Sequence, residues 1–152
     1  MTTTTATPAA PTGLDVPLFS VAGAFLEGLA AQDFARVVGT LGDDAHLRAL
    51  VPSGLREWNG PEQVGATFRR WFGDVEGFEL IDAVVGEVGP RLHLRWRVRV
   101  QNQRLGDGWF VVEQQVYADT GLDGRIARLS LLCSGFCAEA PVVPPASAGA
   151  LS

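Results

Sequence analysis

Apolar and polar residues alternate without a break from position 92 to 101, a pattern typical of a strand with one dry face and one solvated face. The apolar parity contains Leu92, Leu94, Trp96, Val98 and Val100. The polar parity contains His93, Arg95, Arg97, Arg99 and Gln101. A helix would distribute these arginines around its circumference, whereas a half-covered antiparallel sheet segregates them. The pattern therefore predicts that Trp96 points inward and that the arginines point outward.

Helical periodicity dominates the first half of the chain, and strand patterns dominate the second. We predict helices over residues 17–32, 33–41 and 59–72, where apolar positions recur at helical spacing behind Pro17, Asp33 and Pro61. The predicted strands span residues 45–51, 55–58, 77–88, 91–101, 108–119 and 125–134. Helices followed by a meander of strands indicate an α+β domain.

Composition places this domain between two expected tails. Residues 1–13 and 138–152 are rich in Thr, Ala and Pro, so we expect both segments to be disordered. The chain has 152 residues, of which 47% are hydrophobic, which is enough for one core over residues 14–137.

The net charge, the hydropathy and the cysteine spacing argue against several classes of protein. A formal net charge of -5 argues against a nucleic-acid partner. Because no apolar run reaches the about 18 residues of a membrane span, and no export signal opens the chain, we expect a cytoplasmic protein without a membrane partner. Cys133 and Cys137 lack the paired spacing of a zinc site, so no metal is expected. Reduced thiols are the default, although a bridge between the two stays open.

Three junctions and the order of elements resemble one known superfamily. The junctions are residues 29–34 (Leu-Ala-Ala-Gln-Asp-Phe), 41–45 (Leu-Gly-Asp-Asp-Ala) and 123–126 (Asp-Gly-Arg-Ile), and a third helix opens at 59–62 (Asn-Gly-Pro-Glu). Over residues 16–136 the chain resembles the nuclear transport factor 2-like superfamily, in particular its SnoaL-like polyketide cyclase and ketosteroid isomerase branch. These motifs specify turns and not chemistry.

The resemblance implies a cone-shaped fold, in which three N-terminal helices pack on a strongly curved, mainly antiparallel sheet around an apolar pocket. It also implies a homodimer paired through the outer sheet surface, and no cofactor. In the isomerase branch a tyrosine, an aspartate base and a neutral carboxylic acid act on the ligand. Their positions correspond to Phe25, Ala49 and Gln114, so that machinery is largely missing here. Gln114 still has an amide that can donate a hydrogen bond to a carbonyl oxygen.

Carrying the parity of Trp96 across the hairpins predicts two inward polar residues, Asp82 and Gln114. Asp82 in a dry pocket would have a raised pKa and suit proton transfer, or it would sit near a strand end and reach water. Gln114 would hold a ligand carbonyl oxygen, or it would satisfy buried backbone or helix-terminal groups. A slip of one residue would exchange Gln114 for its neighbours.

The expected ligand-binding residues share an inward or pocket-mouth position. They are Phe25, Ala49, Trp58, Trp96, Val116, Leu131 and Cys133. Their aromatic and aliphatic character favours a small apolar or aromatic molecule. Cys133 as a nucleophile would need a base, but His46 and His93 have outward parity, so a small buried hydrophobe is the simpler interpretation.

Two functions follow. The first is a small-molecule-pocket protein of the SnoaL-like group, either a binder or a cofactor-independent isomerase, cyclase or lyase that uses Asp82 and Gln114 on an apolar, carbonyl-bearing metabolite. The second is a non-catalytic dimeric module that binds a ligand or contacts another protein through its arginine-rich sheet face.

Overall fold

The computed structural model describes the backbone of residues 15–139 and the side chains of residues 21–139. The tail expected over residues 1–13 and all but the first two residues of the tail expected over 138–152 lie outside this range. The helices are α1 (Asp15–Ala30), α2 (Phe34–Gly39) and α3 (Pro61–Phe72). The strands are β1 (Leu41–Val51), β2 (Gly54–Asn59), β3 (Gly77–Val88), β4 (Arg91–Gln101), β5 (Phe110–Thr120), β6 (Ile126–Cys133) and β7 (Cys137–Ala138). The predicted α+β class is confirmed.

The strands form one mixed sheet in the order β2-β1-β6-β5-β4-β3, and β7 pairs with β5. The β1–β6 pair is parallel and the other pairs are antiparallel. β1 begins at Leu41 rather than at the predicted position 45, because its ladder with β6 already starts at Leu41 opposite Ile126. The parallel pair brings the end of β1 beside the end of β6, two segments that are far apart in the sequence.

The parity predicted for β4 is confirmed. Leu92, Leu94, Trp96, Val98 and Val100 are at most 1% exposed, whereas the residues between them are half-buried or exposed. Aromatic rings from three elements pack together beneath this face. The ring of Phe25 on α1 lies 5.5 Å from that of Phe68 on α3 and 5.6 Å from that of Trp96. These rings form part of the hydrophobic core.

Cross-strand ion pairs cover the outer face of β4. Arg91 binds Asp119, Arg95 binds Asp82, Arg97 binds Glu113, and Arg99 binds both Glu79 and Glu139. Cross-strand pairs of opposite charge are mildly favourable at such positions. Each outer arginine of β4 thus has a carboxylate partner.

The ordered chain extends past position 137, where the sequence predicts the tail to begin. Cys137–Ala138 forms β7, and the Glu139 carboxylate accepts hydrogen bonds from Arg99 at 2.9 and 3.1 Å. Hydrogen bonds with Glu139 and then with Glu79 raise the pKa of Arg99. The same guanidinium lies 4.1 Å from the ring centroid of Trp109. These contacts hold residues 137–139 to the sheet.

Candidate functional site

A cavity of about 530 Å³ opens where β2, the end of α3 and the chain after β6 meet. Its lining comes from segments widely separated in the sequence: residues 51–53, Arg56, Trp58, Arg70, Trp71, Leu105 and residues 133–136. A space of this size falls in the range of small-molecule sites. The parallel pairing of β1 and β6 is what brings residues 51–53 and 133–136 to one place.

Trp58 and Trp71 form an aromatic wall of this cavity. Trp58 pairs with Leu47 across the β1–β2 ladder, and α3 starts directly afterwards at Pro61 behind Gly60, whose φ is 89°. The Gly60 N–H donates to the Ala45 carbonyl at 2.7 Å, which fixes the corner between β2 and α3. As a result the two tryptophan rings meet edge to face, with centroids 6.0 Å apart.

The turn after β6 forms another part of the lining. Gly135 has φ of 83°, and a Cβ atom there would lie 2.5 Å from Pro52 Cγ, so this close approach requires glycine. Ser134 Oγ accepts from the Glu113 N–H at 2.9 Å and donates to the Gly135 carbonyl at 2.8 Å. The bond from Glu113 ties this turn to β5, and the close approach of Gly135 to Pro52 places it beside the turn that follows β1.

Cys133 faces the cavity, and Gln114 lies behind it. Gln114 is 1% exposed; its Oε1 accepts from Trp96 Nε1 at 2.9 Å and its Nε2 donates to Cys133 Sγ at 3.3 Å. The Gly135 N–H also donates to this sulfur, at 3.4 Å. Gln114 is therefore a buried hydrogen-bonding group between the core and the cavity and is not one of the lining residues. Cys133 and Cys137 are both free thiols.

Two arginines border the cavity. Arg56 comes from β2 and donates to Ser53 Oγ at 3.2 Å, whereas Arg70 comes from α3 and donates to Thr67 Oγ1 at 3.4 Å. Among the side chains of residues 21–139, neither guanidinium forms an ion pair with a carboxylate. Neither an acidic side chain nor an imidazole lines the cavity within the described range.

The prediction that Asp82 points inward is wrong. A β-bulge between Leu80 and Asp82 inserts Ile81 as an extra residue, so the parity of β3 changes at that point. Asp82 pairs with Arg97, its Oδ2 lies 3.4 Å from Arg95 Nη2, and its side chain is 48% exposed. Asp82 is thus an outer-face ion-pair partner, and not a desolvated carboxylate in an apolar pocket.

The structure separates the predicted ligand-binding residues into two groups. Trp58 and Cys133 line the cavity. Phe25, Ala49, Trp96, Val116 and Leu131 are at most 3% exposed and belong to the hydrophobic core.

Sequence reasoning did not identify the other lining residues, which are residues 51–53, Arg56, Arg70, Trp71, Leu105 and residues 134–136. One signal was available for Arg56: it stands two positions before Trp58 on the same strand, so both side chains share a face. The other residues come from loops, a strand end or a helix end whose position depends on the tertiary fold.

The histidines lie away from the cavity, and residues 15–139 offer little to a metal ion. His46 contacts Asn59 and Glu57, and His93 stacks near Tyr117 with ring centroids 4.9 Å apart. In the described part of the chain, no group of three or more His, Cys, Asp or Glu side chains is placed to hold a metal ion. Within the same range, no helix combines the length and apolarity needed to cross a membrane.

Comparison with known proteins shows the fold. No family model matches the sequence, and no curated protein does either. Solved structures do match. A candidate SnoaL-like polyketide cyclase from Shewanella putrefaciens is 10% identical, with a TM-score of 0.62 over 83% of this chain and 92% of that one. An epoxide hydrolase of M. tuberculosis, described as LEH-like, is 22% identical, with a TM-score of 0.58 over 78% and 84% of the two chains.

A third solved structure names the fold directly. An NTF-2-like protein of unknown function from Burkholderia xenovorans is 15% identical, with a TM-score of 0.57 over 89% of this chain and 93% of that one. At these identities the likeness extends to the fold and not to the chemistry. It confirms the fold assignment implied by the junctions at residues 29–34, 41–45 and 123–126.

Proposed function

Given that the chain has the nuclear transport factor 2-like fold of SnoaL-like proteins, we propose that its cavity binds a small, flat, apolar molecule that carries a carbonyl group. The observation that carries this proposal is the aromatic wall of Trp58 and Trp71, which borders a space of about 530 Å³. Tryptophan faces and edges give large contact area to planar ligands. The Ser53 hydroxyl and the two arginines supply hydrogen-bond donors for a ligand oxygen atom, whereas the Ser134 hydroxyl already donates to the Gly135 carbonyl.

Binding is favoured over acid–base catalysis by carboxylates. Asp82 lies on the outer face with Arg95, so it supports no proton transfer in the cavity. Cyclase, isomerase or lyase chemistry at this place would have to draw on the serine hydroxyls, the Cys133 thiol and the arginines. The structural neighbours include a candidate polyketide cyclase and an epoxide hydrolase, which supports small-molecule binding as the broad role of this fold.

The test is calorimetric titration of the full chain with 2-acetylnaphthalene, a planar ketone. We expect saturable binding that Trp58→Ala weakens about tenfold, because an aromatic contact contributes about 0.5–1.5 kcal/mol beyond area burial. Trp109→Ala is the matched control, since Trp109 packs on Arg99 and not on the cavity. Absence of saturable binding to the wild-type chain, or equal weakening by both variants, would contradict the proposal.

A second candidate function is association with another copy through the outer face of β1, β2 and β6. Leu50 pairs with Leu55 on one side and with Leu132 on the other, and these leucines are 50%, 49% and 53% exposed. A contiguous apolar row of this kind on a sheet face favours an interface. Sedimentation of Leu132→Glu against the wild-type chain tests it: a dimer that becomes a monomer supports homodimerisation, and a monomeric wild type excludes it.

A further inference from the structure

The two arginines at the cavity have most of their hydrogen-bonding capacity unused. Arg56 and Arg70 are exposed, and each has one hydrogen bond to a neutral hydroxyl, at 3.2 and 3.4 Å. A guanidinium carries five N–H donors in a planar fork that matches a carboxylate or a similar oxyanion. The two groups therefore present donors and positive charge to whatever occupies the cavity.

Unlike Arg56 and Arg70, the arginines of β4 have carboxylate partners. Arg91, Arg95, Arg97 and Arg99 each bind a carboxylate on a neighbouring strand. The chain has 17 acidic against 12 basic residues, so carboxylates are in excess, yet none of the described ones neutralises Arg56 or Arg70. Arg48, Arg69, Arg104 and Arg128 also form no ion pair with a described carboxylate, so what sets Arg56 and Arg70 apart is that they line the cavity.

We infer that the cavity selects planar aromatic molecules bearing an anionic oxygen group, either a carboxylate or an ionised enol, with Arg56 and Arg70 binding the anion and Trp58 and Trp71 contacting the ring. This inference rests on the proposed function, because it names the class of ligand within the same cavity. The two arginines line the cavity from different elements: Arg56 lies two positions before Trp58 on β2, and Arg70 directly precedes Trp71 on α3. Ring and anion are therefore bound by adjacent groups.

The positive charge at the cavity also disfavours cationic ligands. An aromatic amine would place a cation beside two guanidinium groups, and like charges repel. A neutral ketone or amide would gain the ring contact and a neutral hydrogen bond, whereas a carboxylate would gain charge-assisted bonds that are roughly twice as strong. The expected order of affinity is carboxylate above amide and ketone, and these above the amine.

The experiment compares probes that share one ring system. The full chain is titrated by calorimetry at neutral pH with 2-naphthoate, 2-naphthamide, 2-acetylnaphthalene and the protonated amine 2-naphthylmethylamine. We expect 2-naphthoate to bind about tenfold more tightly than 2-naphthamide, with an affinity that falls as salt is added. The Arg56→Gln/Arg70→Gln double variant should bring 2-naphthoate to the level of the amide while changing the amide affinity less than about twofold.

Arg48→Gln is the matched control, because it removes the same type of charge from β1 outside this cavity. If the amide and the ketone bind but 2-naphthoate binds no better, the anion preference is refuted and the proposed function stands. A preference that survives in the double variant refutes the assignment to these arginines, as does an equal loss in Arg48→Gln. If none of the probes binds, the inference falls together with the proposed function.

Discussion

The substitution Gln114→Leu tests whether this buried amide is a structural hydrogen-bonding group. In the structure its Oε1 accepts from the indole N–H of Trp96 at 2.9 Å, and its Nε2 donates to Cys133 Sγ at 3.3 Å. Trp96 is fully buried and Gln114 is 1% exposed. Leucine has a similar volume, so the substitution removes the hydrogen bonds without opening a large cavity.

The expected cost follows from the group that is left without a partner. A buried donor that loses its acceptor destabilises a protein by about 1–3 kcal/mol, so we expect the free energy of unfolding to fall by about 2 kcal/mol. The weak bond to the Cys133 sulfur adds little. For a domain of this size, a loss of about 2 kcal/mol corresponds to a decrease in Tm of about 4–8 °C.

The measurement is urea unfolding followed by circular dichroism, with Gln115→Leu as the matched control. Gln115 is the next residue on β5 but faces outward, with a hydrogen bond to His93 at 3.4 Å, so we expect it to change stability by less than about 0.5 kcal/mol. Trp96→Phe provides the second test, because Gln114→Leu should cost much less once the indole N–H is absent.

Two results would refute this reasoning. One is equal stability of Gln114→Leu and Gln115→Leu, which would mean that the buried hydrogen bond contributes nothing measurable. The other is an unchanged cost of Gln114→Leu in the Trp96→Phe background, which would place the penalty on packing and not on the indole donor.

Two further substitutions test other parts of the fold. Gly65→Ala should destabilise the chain by about 1–3 kcal/mol in thermal unfolding, because the new Cβ would overlap Val38 Cγ2, and adding Val38→Ala should restore most of the loss. Asp123→Asn should remove a stabilisation present at neutral pH: hydrogen bonds from the backbone and then the side chain of Arg125 lower the pKa of Asp123, so the wild-type advantage holds above the ordinary carboxyl pKa. That advantage should disappear as the pH falls through the folded-state pKa, and a difference between the two proteins that stays constant from about pH 5 to pH 2 would contradict it.

The fold was predictable because its patterns are local. The alternation along β4 and the turn residues between strands required no tertiary information, and the predicted bounds of β3 and β4 agree with the structure. β7 was missed because two residues give no periodicity. Its place is set by the ladder with β5, in which Cys137 pairs with Val111 and Ala138 with Phe110.

The error at Asp82 shows where parity arguments fail. The inward and outward positions of β3 were predicted from those of β4 on the assumption of a regular ladder. Ile81, however, adds one residue to β3 only. A signal was present, because the alternation of β3 breaks at Leu80 and Ile81 and again over the apolar residues 83–85. Even Ala83, which pairs with Trp96, is exposed, so this part of β3 provides no dry pocket on either face.

The cavity was less predictable than the fold because its chemistry depends on whether its arginines have carboxylate partners. Arginine in a sequence predicts a charge, and the neighbours decide whether that charge is neutralised. Arg97 and Arg70 look alike in the sequence, yet Glu113 lies opposite the first on the sheet, whereas only a threonine hydroxyl meets the second. Whether an arginine has a carboxylate neighbour therefore depends on the register of the β-sheet and on the position of α3 beside β2. Trp58 was expected at the pocket mouth from the resemblance, whereas the free charge of Arg56, two positions earlier on the same strand, became visible only in the structure.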